Sequence, residues 1–375
     1  MRYLTKYILS DLQRKMVFVG GARQVGKTTL AKSLLESEYP DGGYFNWDYD
    51  EDRQAILAKK WTQNAPLLVF DELHKYPGWK NWIKGLYDVK KKQHAFLVTG
   101  SARLDIYQKG GDSLLGRYHY WRLHPFSLDE YPAGIDKQEA FNRLMTVGGF
   151  PEPFLENDPV QSRRWRRDRL NRVIREDIRD LENIHKITGI SLMLDLLRSR
   201  VGSMLVLENL ARDIQVSSKT IKHWLTILQQ MYLVFSIKPY TKNLPRAILK
   251  PAKVYFYDNA DVIGDQGAIF ENLVATGLLK RIHFLQDRDG YNYELRYIRD
   301  KEGREVDFVI LKDNSVEELI EVKYADDELS SHLKYYAKKI KAKKVTQIVA
   351  KLDRSYDQQG IRITDPLSYF SNFCF

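Results

Sequence analysis

The chain has very little cysteine and no long apolar run. Its 375 residues include a single cysteine, Cys374, so an internal disulfide scaffold is excluded. The eight histidines are dispersed without paired ligand spacing, which removes the usual zinc modules. No stretch approaches the roughly 18 uninterrupted apolar residues of a membrane span, and the N-terminal sequence turns polar too early for a signal peptide. We therefore expect a soluble, cytoplasmic protein with no membrane partner.

Internal repeats and low-complexity linkers are also absent. Hydrophobic residues make up 43% of the chain and aromatic residues 12%, which is enough apolar surface for packed cores and excludes a mainly disordered protein. The 59 lysines and arginines exceed the 49 acidic residues, giving a formal charge of +10. A basic balance favours polyanionic partners such as nucleic acid, nucleotide or an acidic membrane surface, without choosing among them.

Changes of hydrophobic period predict an α/β protein with four segments. Short apolar runs alternate with amphipathic stretches in the N-terminal third, which is typical of a parallel sheet covered on both faces; they are residues 16–19, 44–47, 67–70 and 95–98. Two helices joined by a turn, then an extended run, indicate a winged helix–turn–helix. The predicted domains are an N-terminal α/β domain (1–132), a helical connector or lid (133–200), the winged helix (201–245) and a C-terminal α/β domain (246–375).

A phosphate-binding motif lies in the N-terminal segment. The sequence GARQVGKT fits GxxxxGK[ST] and stands between an apolar strand and a helix. Gly21 and Gly26 let the backbone curl so that its N–H groups face an anion, and the helix N-terminus adds its positive dipole end. Lys27 is expected to reach the β- and γ-phosphates and Thr28 to coordinate Mg²⁺. Thr29 completes the predicted contacts, and the predicted cofactors are ATP and Mg²⁺.

Two adjacent carboxylates follow the apolar run at 67–70. Asp71 is placed to hold the Mg²⁺ shell, and Glu72 to polarise the attacking water as a general base. One strand later, Thr99 or Ser101 could sense the γ-phosphate, although an ordinary strand end explains these hydroxyls equally well. Adjacent carboxylates favour hydrolysis over simple nucleotide holding.

The chain resembles AAA+-type P-loop ATPases of bacteria and archaea that carry a winged helix and a restriction-nuclease-like C-terminal domain. The resemblance rests on these motifs: GARQVGKT, VFDE (69–72), VTGSA (98–102), LLGRYHYWRLHPFSLDEY (114–131), GGFPE (148–152), FENLVA (270–275), EVDFVI (305–310) and IEVK (320–323). It implies the strand order of AAA+ proteins, with an additional strand, and assembly into a ring or another homo-oligomer such as a dimer. It also implies that Arg117 is an arginine finger; Arg103 competes for that role, and an ordinary surface arginine is the alternative.

Two basic segments are candidates for DNA contact. Arginines crowd one predicted helix around Trp165 and suit phosphate contact and base stacking; those that we assign to DNA are Arg163, Arg164, Arg166 and Arg167. The alternatives for this helix are a subunit interface and an ordinary helix whose arginines are balanced by Glu176, Asp177 and Asp180. Lys219 and Lys222 open the candidate recognition helix, whose N-terminal residues normally meet DNA. Winged helices also dock proteins, so that alternative stays open.

A second set of acids is predicted near the C-terminus. Alternation along a strand places Glu321 and Lys323 on one face, and hairpin pairing can bring Asp307 alongside them. This D…ExK arrangement resembles the restriction-endonuclease superfamily, and Glu271 matches its helical acid. A nuclease of this type would use Mg²⁺ held by the carboxylates. The alternatives are an ordinary exposed hairpin face and a nuclease-like domain that only binds.

The sequence therefore predicts an Mg²⁺-dependent ATPase that couples hydrolysis to DNA binding or remodelling. Two other functions fit the same motifs. One is a nucleotide-switched protein-interaction module with slow hydrolysis, and the other is an ATP-gated, Mg²⁺-dependent DNA nuclease.

Overall fold

A computed structural model describes residues 2–101, 114–174, 184–241 and 251–371. Two compact units divide at residues 124 and 125, and residues 230–232 group with the first unit. The helices are α1 Thr5–Leu12, α2 Lys27–Glu38, α3 Asp50–Ala58, α4 Trp79–Lys90, α5 Lys137–Thr146, α6 Pro151–Glu156, α7 Pro159–Arg172, α8 Ile184–Arg198, α9 Leu207–Ile214, α10 Ser218–Gln230, α11 Gln266–Asp289, α12 Ser331–Lys339 and α13 Pro366–Ser371.

The N-terminal unit is built on an all-parallel sheet of five strands in the order β2-β3-β4-β1-β5. The strands are β1 Met16–Gly21, β2 Gly43–Asn46, β3 Leu67–Asp71, β4 Ala95–Thr99 and β5 Tyr118–Leu123. All residues of β1 and β3 are buried, as parallel strands covered on both faces require. The four apolar runs therefore form the strands that the sequence predicts, and β4 lies between β1 and β3.

Parallel pairing brings the functional strand ends to one edge of this sheet. Asp71 of β3 pairs with Thr99 of β4, and Val19 of β1 pairs with the same threonine. The loop after β1 therefore opens beside the carboxyl end of β3. This is the edge at which parallel α/β sheets bind their ligands.

The second unit carries a mixed nine-stranded sheet in the order β13-β14-β12-β11-β10-β9-β7-β8-β6. Its strands are β6 Met204–Leu205, β7 Val234–Pro239, β8 Ala252–Phe256, β9 Tyr293–Arg299, β10 Glu305–Lys312, β11 Ser315–Lys323, β12 Lys344–Val349, β13 Tyr356–Gln358 and β14 Ile361–Thr364. The segment predicted as a helix–turn–helix contains the two helices α9 and α10. Strand β8 pairs antiparallel with both β6 and β7. The same sheet then continues through β7 and β9 into the C-terminal strands.

A short segment before α5 is fastened within the second unit by a buried lysine. Lys280 of α11 is 1% exposed and donates to the carbonyl of Pro125 (3.2 Å) and to the hydroxyl of Ser127 (2.6 Å). Its Nζ also lies 2.5 Å from Glu130 Oε2. Residues 125–130, which belong to the motif that follows β5, are thus held by the C-terminal helix.

No helix in the described part of the chain combines the length and the apolar character needed to cross a bilayer. Cys374, Arg103 and residues 175–183 of the arginine-rich segment lie outside the described residues. The three predicted boundaries between the four domains remain predictions.

Candidate functional site

The loop after β1 has the backbone conformation of a phosphate cradle. Gly26 has φ 98° and caps α2 in a left-handed conformation, and Gly21 would place a Cβ 2.4 Å from the carbonyl oxygen of Leu123. Both positions therefore require glycine. Lys27 is 6% exposed, and its Nζ donates to the carbonyls of Gly21 (3.1 Å) and Ala22 (2.8 Å). The ammonium thus lies over the loop in which phosphate is expected.

Asp71 is the centre of a hydroxyl network beside this loop. The Thr28 hydroxyl donates to Asp71 Oδ2 at 2.6 Å, and the Tyr44 hydroxyl donates to the same oxygen at 2.8 Å. Thr99 donates to Oδ1. Burial, and secondarily Asp71, raises the pKa of Tyr44 above its usual value, so this phenol remains a donor. The structure brings together Thr28 and Asp71, the two residues predicted to hold Mg²⁺.

Glu72 is held beside the same loop in a left-handed backbone conformation, with φ 57°. Its Oε2 lies 3.5 Å from His74 Nε2 and 3.7 Å from Lys75 Nζ. Burial raises the pKa of the Glu72 carboxyl, while the charges of Lys27 and Lys75 oppose the shift. A carboxylate with a raised pKa is a stronger proton acceptor, as a general base requires.

His74 links the carboxylate to the next strand end. Its Nε2 lies 3.3 Å from the Ser101 hydroxyl, and both side chains are buried. The structure therefore places Ser101 next to a group that contacts Glu72. Thr99, the other candidate sensor, is committed to Asp71.

Arg117 lies at the amino edge of the first sheet, just before β5. Its carbonyl accepts from the N–H of Met16, the first residue of β1. Since β1 has six residues, the strand separates this edge from the phosphate-binding loop by roughly 17 Å. The guanidinium of Arg117 forms two hydrogen bonds to Asp88 of α4, at 2.8 and 3.1 Å, and this pairing lowers the pKa of Asp88.

A second group of acids gathers in the C-terminal unit, where the sequence predicts a nuclease-like site. Asp307 of β10 lies opposite Glu321 of β11, because Phe308 pairs with Ile320 in antiparallel register. Lys323 Nζ is 3.4 Å from Glu321 Oε1. Glu271 of α11 joins the group through Lys253 of β8. We call Glu271, Glu305, Asp307, Glu321 and Lys253 the carboxylate cluster.

The electrostatics of this cluster follow from burial. Burial, together with the neighbouring Glu321 and Glu271, raises the pKa of Asp307 well above its usual value. Burial works against the charge of Lys253, but the carboxylates of Glu271, Asp307 and Glu305 outweigh it and raise the pKa of this lysine. The cluster is thus a buried salt-bridge network with a permanent ammonium inside it.

The predicted basic segments are mostly solvent-facing. On α7, three of the four predicted arginines are exposed and Arg166 is partly buried; the exposed ones are Arg163, Arg164 and Arg167. On α10, Lys219 and Lys222 are exposed, while a buried stripe packs inward, consisting of Ile221, Trp224, Leu225 and Leu228. Ser217 caps this helix by accepting from the N–H of Thr220 at 3.1 Å.

Sequence reasoning missed three residues that contact the predicted sites. Tyr44 stands two residues before the end of β2 and Lys253 is a lone lysine in an apolar strand, so neither has a motif around it. His74 had a detectable signal, since it follows the two predicted carboxylates within one turn. The 3-10 helix Leu73–Lys75 turns it back toward Glu72.

Comparison with known families assigns the N-terminal segment. Residues 13–132 match a family described as an AAA domain. This segment is similar to AAA domains. Residues 138–260 and 266–369 match two families described as domains of unknown function, DUF8612 and DUF4143.

Relatives of the whole chain are distant. An uncharacterized protein of Methanocaldococcus jannaschii, MJ1544, is 23% identical over an alignment covering 96% of this chain and 87% of that protein. The uncharacterized protein Rv2008c of Mycobacterium tuberculosis is 24% identical over 73% of this chain, which spans 57% of that relative's length.

Solved structures match weakly. Aeropyrum pernix Orc1 in complex with DNA aligns with 74% of this chain and 92% of its own, at 12% identity and a TM-score of 0.34. The alignment with the Thermotoga maritima RuvB Holliday junction branch migration motor covers 66% of this chain and 94% of the RuvB chain, at 16% identity and a TM-score of 0.32. Both TM-scores lie below 0.5, so neither protein defines the function of this chain.

Proposed function

We propose that the AAA-type domain binds ATP with Mg²⁺ and hydrolyses it, and that the chain couples hydrolysis to DNA binding or remodelling. The observation that carries the first part is the hydrogen bond between Thr28 and Asp71 beside a lysine-bearing phosphate cradle. Hard oxygen donors at this position fit Mg²⁺, which is usually held by one or two protein groups together with nucleotide phosphates. When bound, the ion would neutralise charge that develops on the phosphoryl oxygens.

Glu72 has the position and proton affinity of the general base. Its carboxyl is next to the cradle, its pKa is raised by burial, and the charges of Lys27 and Lys75 oppose that shift. We assign it the role of accepting a proton from the attacking water. Ser101, which contacts His74, is assigned to sensing the γ-phosphate through this residue.

Arg117 is assigned to a neighbouring subunit's nucleotide. It stands at the sheet edge away from its own cradle, so it cannot reach its own phosphate, and Asp88 orients its guanidinium at the surface. An arginine finger supplied by a neighbour stabilises transition-state charge and raises rates by several orders of magnitude. This assignment requires a homo-oligomer, either a ring or a dimer.

The DNA part rests on the exposed arginines of α7 and on Lys219 and Lys222 of α10. Guanidinium groups on one exposed helix suit phosphate contact, and the capped start of α10 presents its lysines as a recognition helix does. The β7–β8 pair that follows α10 is the proposed wing.

The first experiment measures ATP hydrolysis with and without duplex, single-stranded and branched DNA. We expect DNA to stimulate hydrolysis and Lys27→Ala to abolish both basal and stimulated rates. Hydrolysis that no DNA stimulates would favour the nucleotide-switched interaction module instead.

A second experiment tests the finger by mixing inactive variants. Lys27→Ala retains Arg117, and Arg117→Ala retains an intact cradle, so a mixture should regain activity if the finger acts between subunits. Asp88→Ala is the matched control, because it releases the guanidinium without removing it. A mixture no more active than its parts would contradict the assignment.

The DNA surface is tested with two triple variants that lose the same number of positive charges at different places. Changing Arg163, Arg164 and Arg167 to glutamine should weaken DNA binding at least about 10-fold and reduce the salt slope by about 2 to 3. The control removes three exposed lysines on other elements: Lys92, Lys301 and Lys338. An equal loss of DNA affinity in both triple variants would mean that net charge alone, and not the α7 surface, determines binding.

A further inference from the structure

A lysine, rather than open space, lies inside the carboxylate cluster. Lys253 Nζ is 2.5 Å from Glu305 Oε1, 3.4 Å from Glu271 Oε1 and 3.7 Å from Asp307 Oδ1. Its side chain is only 3% exposed. The ammonium therefore links strand β8 to helix α11 and strand β10. It occupies the position that a cation bound by these three acids would take.

The carboxylates are also committed to other donors. The Tyr255 hydroxyl donates to Glu271 Oε1 at 2.7 Å, and the N–H of Val322 donates to Asp307 Oδ2 at 2.9 Å. Glu321 Oε1 accepts from Ser330 at 3.2 Å. Mg²⁺ demands near-octahedral oxygen ligands at 2.0–2.1 Å. These donors occupy part of the lone pairs that it would use, while Glu321 Oε2 is buried and has no hydrogen-bond partner among the described residues.

The charge of the cluster is nearly balanced without a metal. Arg299 Nη1 lies 2.6 Å from Glu305 Oε2, and Lys323 supplies a further cation beside Glu321. Three cations thus face four carboxyl groups, so a divalent ion would add charge where the acids already have cationic partners. Within the described residues, no three acidic, histidine or cysteine side chains are grouped so as to hold a metal.

We propose that Lys253 replaces the divalent cation in the nuclease-like site. The C-terminal unit then keeps the acid pattern of a metal-dependent nuclease, but its carboxylates bind an internal ammonium and neither take up Mg²⁺ nor cleave DNA. The site does not fit the metal that the resemblance implies, and the unit acts by binding alone.

The test measures Mn²⁺ binding to the full chain without nucleotide, by electron paramagnetic resonance. Wild type and Asp307→Asn should bind the same number of ions, because the cluster holds none. Lys253→Met should gain one site at least 10-fold tighter than any in wild type, and adding Asp307→Asn should remove it. Lys323→Met is the matched control, since it removes a lysine that lies beside the cluster while Lys253 stays, and it should gain no site.

Several outcomes would overturn the proposal. They are a wild-type Mn²⁺ site that disappears in Asp307→Asn, plasmid cleavage by wild type that Asp307→Asn abolishes, and a folded Lys253→Met protein that gains no site. If thermal melting shows that Lys253→Met does not fold, the comparison of wild type with Asp307→Asn still decides between the two views.

Discussion

The two acidic sites of this chain contain similar residues in opposite arrangements. In the N-terminal unit, Asp71 receives hydrogen bonds from neutral hydroxyls, and Lys27 rests on backbone carbonyls that a phosphate could replace. In the C-terminal unit, Lys253 is surrounded by the carboxylates themselves. The side-chain partners of Asp71 are neutral donors, whereas the acids of the C-terminal unit already have an ammonium as a partner. The type of partner, more than the number of acids, separates the two sites.

The largest expected effect is the loss of ATP hydrolysis on substitution of Glu72, and it tests whether the N-terminal site is the catalytic one. Glu72→Gln keeps the shape of the side chain but cannot accept a proton, so ATP hydrolysis should fall about 1,000-fold while nucleotide binding remains. Steady-state phosphate release and equilibrium binding of a fluorescent ATP analogue measure the two properties. A variant that hydrolyses ATP within 10-fold of wild type would remove Glu72 from the role of base.

The next effect concerns stability at Lys253. Lys253→Met leaves buried carboxylates without their cation and should lower the free energy of unfolding by about 3 kcal/mol. Denaturant titration checks this value, and adding Glu271→Gln should recover part of the loss, because one fewer charge then stays unpaired. An unchanged unfolding midpoint would mean that the ammonium contributes no net stability.

A smaller effect is expected at His74, which contacts both Glu72 and Ser101. His74→Ala should lower the hydrolysis rate about 10-fold, the lower end of what positioning contributes, without changing ATP affinity. Ser101→Ala should give a similar loss, and the double variant should lose little more, because both residues act through one contact. If the rate losses of the two single variants multiply in the double variant, His74 and Ser101 act independently and the prediction is wrong.

A pH-dependent effect extends the comparison to a third buried acid. Burial, and secondarily Asp261, raises the pKa of Asp258 to about 7, while Arg169 and Arg166 oppose the shift. The folded state then binds this proton more tightly than the unfolded state, so Asp258 makes stability fall as pH rises from about 4 to 7. Asp258→Asn should flatten the dependence of Tm on pH in that window. If the dependence of Tm on pH is the same as in wild type, a group other than Asp258 causes it.

The sequence predicted four strands of the first sheet, because local apolar runs mark them. Apolar runs delimited four of the five parallel strands to within two residues at each end, and the end of β3 brought Asp71 to Thr28 as expected. β5 was not predicted as a strand. It is an edge strand of mixed sequence, YHYWRL, in which only Trp121 and Leu123 are fully buried, so it lacks a continuous apolar run.

The second site could be predicted only in part. The pairing of Asp307 with Glu321 follows from hairpin alternation, which is local. Lys253 enters from β8, more than 50 residues before Asp307, and only the folding of the nine-stranded sheet brings them together. Periodicity identifies which face a residue occupies, but it does not reveal which distant charge shares that face.

The buried Lys280 has a consequence for how this chain can be divided. The AAA family match runs to residue 132, yet the compact N-terminal unit ends at 124, and the intervening Pro125, Ser127 and Glu130 are partners of Lys280. A fragment cut at the family border would strip a buried ammonium of its partners in one half and expose their apolar neighbours in the other. Gene fragments that end at 124 respect this packing, and in natural relatives the eight residues after it should be inherited with the C-terminal part.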